Sequence, residues 1–314
     1  MARPDFPKTV LEFQQRFATD EACADYLFRS RWPDGFRCPG CGAKRFSEIQ
    51  TRRLYQCLSC GYQASVTAGT VMHRTRTPLS KWFWAAYLVT THTPGFSALQ
   101  FQRQAGIPSY ETAFNMLHKL RAGMVRPERE KIHGKVEVDE TYIGGPKVGR
   151  RGRGAEGKVI VAGAIEVVGD SVRRLRLRVV PDVSARSLMG FAKAYVERGS
   201  TVNTDDLSSY NGLSAAGYRH VVVGPMELEH LHRAFSNLKL WLLGTHHGVS
   251  PKHLQADLNE FVFRHNRRRT PMAAFQTVLG LGSHARSPTY AELYAVGRGG
   301  WVHPNPRGKS ESRR

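Results

Sequence analysis

The chain has 314 residues, 41% of them hydrophobic, enough for roughly two domains of about 150 residues with buried cores. Lys and Arg number 46 against 26 Asp and Glu, a formal net charge of +20. The pI is near 10.2, and such an excess favours a polyanion partner, nucleic acid first, over solubility alone. The apolar run at residues 83–89 falls far short of the roughly 20 residues a membrane helix needs. Residues 1–9 lack a basic start followed by an apolar stretch, so neither a membrane span nor a signal peptide is expected.

Residues 8–31 place Val10, Leu11, Phe13, Phe17, Cys23, Tyr26, Leu27 and Phe28 at helical spacing and end at Trp32-Pro33-Asp34-Gly35, a turn signal. Cys23 sits on the apolar side and is expected to be a core thiol. The other four cysteines form Cys38-Pro-Gly-Cys41 and Cys57-Leu-Ser-Cys60, two CxxC knuckles fifteen residues apart. That spacing lets four thiolates converge on one tetrahedral zinc ion, with Gly40, Gly42 and Gly61 supplying permissive backbone for the turns. Two disulfides are the competing account, disfavoured without a secretory signal. Between the knuckles, Lys44, Arg45, Arg52 and Arg53 mix with Phe46, Leu54 and Tyr55, a short β-hairpin with a basic face suited to DNA.

Residues 79–91, with Trp82, Phe83, Trp84, Tyr87 and Leu88, read as a buried helix. Helices over 97–106 and 110–124, joined at Ile107-Pro108-Ser109, suggest a helix-turn-helix or a simple helical connector. From residue 134 the period changes to two: strands are expected over 135–143, 159–168 and 172–180, a helix over 185–198, and strands over 200–204 and 218–223. This is an α/β pattern. The segment 147–158, glycine-rich and carrying Arg150, Arg151 and Arg153, reads as a loop able to clamp a phosphate backbone. Helices follow over 229–243 and 251–264. Periodicity fades from 283, and residues 303–314 have the composition of a disordered tail.

The strand over 135–143 carries Glu137, Asp139 and Glu140 in its middle. Alternation puts Glu137 and Asp139 on one face and Glu140 on the other. Buried carboxylates are costly, so these acids pair with bases, sit on an edge, or hold a cation. A second acid pair, Asp205-Asp206, ends the strand over 200–204. If the two strands are neighbours, Asp139 and Asp205 can share one divalent ion; otherwise they are ordinary edge and turn acids.

Taken together, the CxxC pairs, the run Val136-Glu137-Val138-Asp139-Glu140-Thr141-Tyr142-Ile143-Gly144-Gly145, Thr204-Asp205 followed by Tyr210, the run from His232 to Lys239, and Glu260 through Arg268 resemble a bacterial insertion-sequence transposase. The closest family is the one numbered fifteen-ninety-five, whose members carry an N-terminal zinc ribbon and an RNase-H-like DDE domain. The resemblance spans about residues 10–270. It implies an RNase-H-like mixed sheet flanked by helices and an organisation of 1–66 (helix and zinc ribbon), 67–133 (helical, helix-turn-helix-like), 134–282 (catalytic domain) and 283–314 (basic tail).

The resemblance further implies Mg²⁺- or Mn²⁺-dependent phosphoryl transfer, in which double-stranded DNA is cut at terminal inverted repeats and its 3′ ends are joined to target DNA. Asp139 is carried over as the first ligand and Asp205 as the second. The family pattern for the third is an acid seven residues before a lysine, and counting back from Lys239 gives His232, a departure from that pattern. Glu229, one turn earlier on the same helix face, and Asn237 are rival ligands. An imidazole in this place suits Mn²⁺ better than Mg²⁺. Lys239 is expected on phosphate as a point charge. Arg264, Arg267, Arg268 and Arg269 form a basic cluster suited to the DNA backbone, and Glu260 is expected to be structural, paired with Arg264 or Arg267. The His246-His247 pair is expected in a loop. A cytoplasmic, nucleoid-associated protein acting as a homodimer or larger synaptic assembly follows from the same likeness. The competing accounts are a zinc-ribbon DNA-binding regulator, an inactive transposase copy, and a nuclease on the same fold.

Overall fold

A computed structural model describes residues 6–126, 129–144, 158–289 and 292–293. Arg150, Arg151 and Arg153, most of the loop around them and the tail 303–314 lie outside the described residues. The chain divides into two compact units, one built from residues up to 124 together with 267–290, the other centred on 125–266.

In the first unit the helical stretch 8–31 is two helices, α1 (Val10–Arg16) and α2 (Asp20–Arg31). The break comes at Thr19, whose hydroxyl caps α2 by accepting from the Ala22 amide at 3.3 Å with Asp20 and Glu21 in the first turn. Threonine followed by two acids is an N-terminus signal that outweighs the continuous apolar pattern. The ribbon that follows has three strands, β1 (Phe46–Ile49), β2 (Leu54–Cys57) and β3 (Gln63–Ala64), antiparallel in that order. Then come α3 (Leu79–Thr91), α4 (Ala98–Gln104) and α5 (Tyr110–Gly123). Helices α4 and α5 are each capped by a serine, Ser97 and Ser109. The second half of α5 is core: Leu117, His118, Leu120 and Arg121 are all buried.

The second unit is a five-stranded mixed sheet: β4 (Lys135–Ile143), β5 (Val159–Val168), β6 (Ser171–Val180), β7 (Thr201–Thr204) and β8 (Arg219–Val222), in the order β6-β5-β4-β7-β8. The first three strands form an antiparallel meander, and β4 then pairs in parallel with β7, as β7 does with β8. This is the RNase-H-like arrangement. The crossover to β7 runs through α6 (Ala185–Tyr195). After β8 come α7 (Glu229–His246) and α8 (Leu254–His265). Even positions Val136 and Val138 of β4 point to one core with Leu188, Phe191 and Tyr210. The opposite face is a second core in which Val161, Ile165 and Leu177 meet Leu231, Phe235 and Leu238 of α7 and Leu258 and Val262 of α8. The central strand is thus covered on both sides, and its odd positions face α7.

The last helix, α9 (Pro271–Gly282), belongs to the first unit, although the sequence pattern runs the catalytic domain on to 282. The reason is Phe275: its ring lies 5.6 Å from Phe13 and Phe17 and 5.9 Å from Phe83 between centroids, completing an aromatic core begun by α1, α2 and α3. Burying such a ring is worth several kcal/mol, and spacing along the chain carries no mark of which core receives it. Among the described residues no helix is long and apolar enough to cross a membrane.

Candidate active site

Strand β4 holds three acids that water scarcely reaches: Glu137 is 1% exposed, Asp139 and Glu140 9% each. An unpartnered buried carboxylate costs several kcal/mol, and each of the three has partners. Glu140 points to the α6 face, where the Tyr210 hydroxyl donates to it at 3.0 Å. Burial, with the charges of Glu140, Asp139 and Asp205, pushes the Tyr210 phenol far above its ordinary range, so it stays a donor. Glu137 and Asp139 point to α7. Asp139 accepts from the Glu140 amide at 2.8 Å through Oδ1, and its Oδ2 lies 2.9 Å from Nε2 of His232.

Asp205 follows the last residue of β7. Residues 135–137 of β4 stand opposite 201–203 of β7, so the same register carried two residues further sets Asp139 level with Asp205. Burial pushes the Asp139 carboxyl above its usual 3.8, the hydrogen bonds from His232 and Glu140 oppose the rise, and the neighbouring Asp205 adds to it. Asp205 is itself held by an Asx turn, accepting the Leu207 amide at 3.2 Å. Beside it the Thr204 hydroxyl donates to the Asp205 carbonyl at 2.7 Å and lies 2.8 Å from Nε2 of His220.

Of the three candidates for the third ligand, only His232 is on Asp139. Glu229 is engaged with Arg233 at 3.5 Å and His230 at 3.8 Å, and Asn237 is exposed on a different face of α7 from His232, five residues on. Lys239 is exposed two turns beyond His232 on the same face. Arg264 does not stand out as a DNA-facing cation: its side chain is 15% exposed, 3.5 Å from fully buried Glu260 and 5.8 Å above the Trp241 ring. Pairing with Glu260 draws it into the fold. Arg267, half-buried, and exposed Arg268 fall in the first unit. His246 is in the last turn of α7, not in a loop, 3.9 Å from buried Asp257.

Three residues that the sequence pattern does not single out shape the site. Gly163 stands opposite Asp139 on β5, and a Cβ there would meet Phe235 of α7 at 2.6 Å and Leu231 at 3.1 Å. Its absence lets α7 lie close enough for His232 to reach Asp139. A lone glycine in an apolar strand is the available signal. His230 lies 2.8 Å from Glu137, and His220 backs Thr204. A separate cleft of about 410 Å³, lined by Glu130, Lys131, His133, Arg174 and Glu197, adds no group to the carboxylate cluster.

One donor pair of the site has the spacing of ligands on a divalent cation. Adjacent ligands on an octahedral ion with bonds of about 2.1 Å are about 3.0 Å apart, and Oδ2 of Asp139 and Nε2 of His232 are 2.9 Å apart. The ribbon fits a softer ion. Sγ of Cys38 lies 3.6 Å from Cys60 and Sγ of Cys41 3.6 Å from Cys57, close to the roughly 3.8 Å edge of a tetrahedral zinc–thiolate site. All four sulfurs fall within 4.8 Å of one another, the one such cluster of three or more His, Cys, Asp or Glu ligands among the described residues. No cysteine is in a disulfide. Gly42 and Gly61 take positive φ of 76° and 72° after the knuckles, as expected, whereas Gly40 has ordinary φ.

A family model described as the ISXO2-like transposase domain, of the IS1595 type, matches residues 131–266, ending where the second unit ends. A second, described as the transposase zinc-ribbon domain of the same type, matches residues 18–63. A protein of Halobacterium salinarum described as an uncharacterized protein in transposable element ISH50 is 28% identical over 293 residues, covering 84% of this chain and 97% of the relative. A chain in the solved simian T-cell lymphotropic virus intasome bound to PP2A regulatory subunit B56 gamma aligns over 55% of this chain and 66% of its own length, at 13% identity and a TM-score of 0.28, too slight a likeness to carry an argument. Residues 18–63 and 131–266 thus match, in order, the zinc-ribbon and DDE-type domains of IS1595-type insertion-sequence transposases.

Proposed function

We propose that this transposase cuts double-stranded DNA at the terminal inverted repeats of its element and joins the freed 3′ ends to target DNA, with Asp139, Asp205 and His232 as the divalent-cation ligands. The observation that supports this most directly is the 2.9 Å approach of His232 to Asp139, on the strand whose register sets Asp139 level with Asp205. Bound there, Mg²⁺ or Mn²⁺ supplies activation of the attacking oxygen and neutralisation of charge on the leaving oxygen. The two aspartates offer hard oxygens held by the sheet and by an Asx turn. Nε2 of His232 would serve as a ligand with the ring proton on Nδ1 or released to solvent, which its 43% exposed side chain permits. A nitrogen donor in place of a carboxylate makes Mn²⁺ the better cofactor than Mg²⁺. Lys239, exposed on the same helix face, contacts phosphate. The ribbon cysteines hold a structural zinc ion. Arg150, Arg151, Arg153, Arg267 and Arg268, with the basic ribbon face and the α4–α5 pair, take the DNA backbone, in a nucleoid-associated dimer or larger assembly that pairs two ends.

The test is strand transfer with labelled duplexes carrying the element's own ends, in Mn²⁺ or Mg²⁺. Joined products are expected from the intact chain, faster in Mn²⁺. They are expected to vanish in Asp139→Asn and Asp205→Asn with DNA binding retained. Binding without cutting or joining in either metal overturns the proposal in favour of a zinc-ribbon regulator or an inactive copy.

A further inference from the structure

Glu137 is the most deeply buried acid of β4, and the catalytic scheme above gives it no role. Its side chain is 2% exposed, and both of its oxygens are used by α7: Oε2 accepts the Leu231 amide at 2.9 Å and Oε1 lies 2.8 Å from Nδ1 of His230. Helix α7 needs such a partner. Its own N-cap residue, Leu228, has no side-chain acceptor, so the cap residue itself satisfies none of the first-turn amides. A carboxylate there satisfies one amide and sits at the positive end of the helix dipole.

We infer that Glu137 is a positioning residue: it caps α7 from across the sheet and thereby sets His232 on Asp139. The spacing carries the inference. Glu137 and Asp139 are two residues apart on one strand face; their partners Leu231 and His232 are consecutive on α7. With the strand holding one and the cap holding the other, the 2.9 Å approach of His232 to Asp139 is fixed at both ends. His230 clasps the free oxygen of Glu137 and stops the carboxyl from turning away. The inference rests on the reading of His232 as a metal ligand, and such supporting contacts change metal affinity by about 10–100-fold.

The test measures Mn²⁺ binding to the full chain without DNA, from the free-ion electron paramagnetic resonance signal, counting the site that Asp139→Asn abolishes. Glu137→Ala is expected to weaken Mn²⁺ binding about tenfold. Glu137→Gln, whose amide oxygen still accepts from Leu231, is expected to stay within about threefold of the intact chain. Glu166→Gln, altering an equally buried acid of the same sheet that makes its ion-pair contacts with His133 and Arg174, is expected to change nothing. Exchange of the Leu231 amide hydrogen should quicken in Glu137→Ala and not in Glu137→Gln. If Glu137→Ala does not fold, Glu137→Asp, one methylene short of the amide, takes its place with the same expectation. Unchanged Mn²⁺ affinity in the shortened variants, or an equal loss in Glu166→Gln, overturns the positioning role. If His232→Ala binds Mn²⁺ like the intact chain, the ligand reading of His232 fails and the positioning role with it, while quicker Leu231 exchange in Glu137→Ala still reports the cap.

Discussion

Replacing Gly163 with alanine tests whether the close approach of α7 builds the site. The added Cβ would lie 2.6 and 2.7 Å from two ring carbons of Phe235 and 3.1 Å from Leu231, where carbon atoms settle at about 3.5–4.0 Å. The ring must retreat by about 1 Å, and Phe235, 4% exposed, has packed side chains behind it. Overpacking of this kind costs about 1–3 kcal/mol. Alanine for glycine in a strand gains about 0.5–1 kcal/mol from backbone entropy, so a net loss of about 1–2 kcal/mol is expected. For a protein of this size that lowers Tm by roughly 2–8 °C. A 1 Å retreat of α7 also carries His232 beyond hydrogen-bond reach of Asp139, so Mn²⁺ affinity should fall with stability. Thermal unfolding of Gly163→Ala, Phe235→Leu and the pair gives the answer. The smaller leucine side chain relieves the clash, so the combined loss should be less than the sum of the singles. A neutral or stabilising Gly163→Ala, or strictly additive losses, refutes the steric reasoning.

Other consequences are measurable separately. Asp139 titrates above its usual 3.8 in the folded, metal-free chain because it is buried; its contribution to stability is therefore full below that value and is lost as pH rises through the folded value. In chelator at about pH 7.5, Asp139→Asn should be more stable than the intact chain, with the difference shrinking toward pH 4; a less stable Asn variant at neutral pH contradicts this. Tyr210→Phe removes the donor to Glu140 and should cost about 1–3 kcal/mol in urea unfolding, against which a change below about 0.5 kcal/mol would tell. Removing metal from the ribbon should free four reactive thiols while Cys23, its thiol pushed up to about 12 by burial, stays silent until the chain is denatured; five thiols reacting at once in the folded protein would contradict the burial.

Much of this was open to reading from residues alone. The ribbon follows from the CxxC spacing because turn geometry is local. The β4 strand and the facing of its acids follow from a period of two, and Asp205 at the end of the parallel neighbour follows from the crossover through α6. What spacing cannot show is the partner of a side chain across the fold. Glu137 as a helix cap, Gly163 as the gap that admits Phe235, and Arg264 turned inward to Glu260 each depend on elements far apart in sequence. The assignment of α9 to the N-terminal core is of the same kind, since its apolar stripe suits either unit. The break at Thr19 differs, for its capping signal is local and legible.

The most direct measurement is anomalous diffraction from crystals soaked in Mn²⁺. The site derived above predicts an Mn²⁺ peak between Asp139 and Asp205 with Nε2 of His232 at bonding distance, about 2.1–2.2 Å. A peak held by the aspartates with His232 still hydrogen-bonded to Asp139, or none at these strand ends, would contradict it.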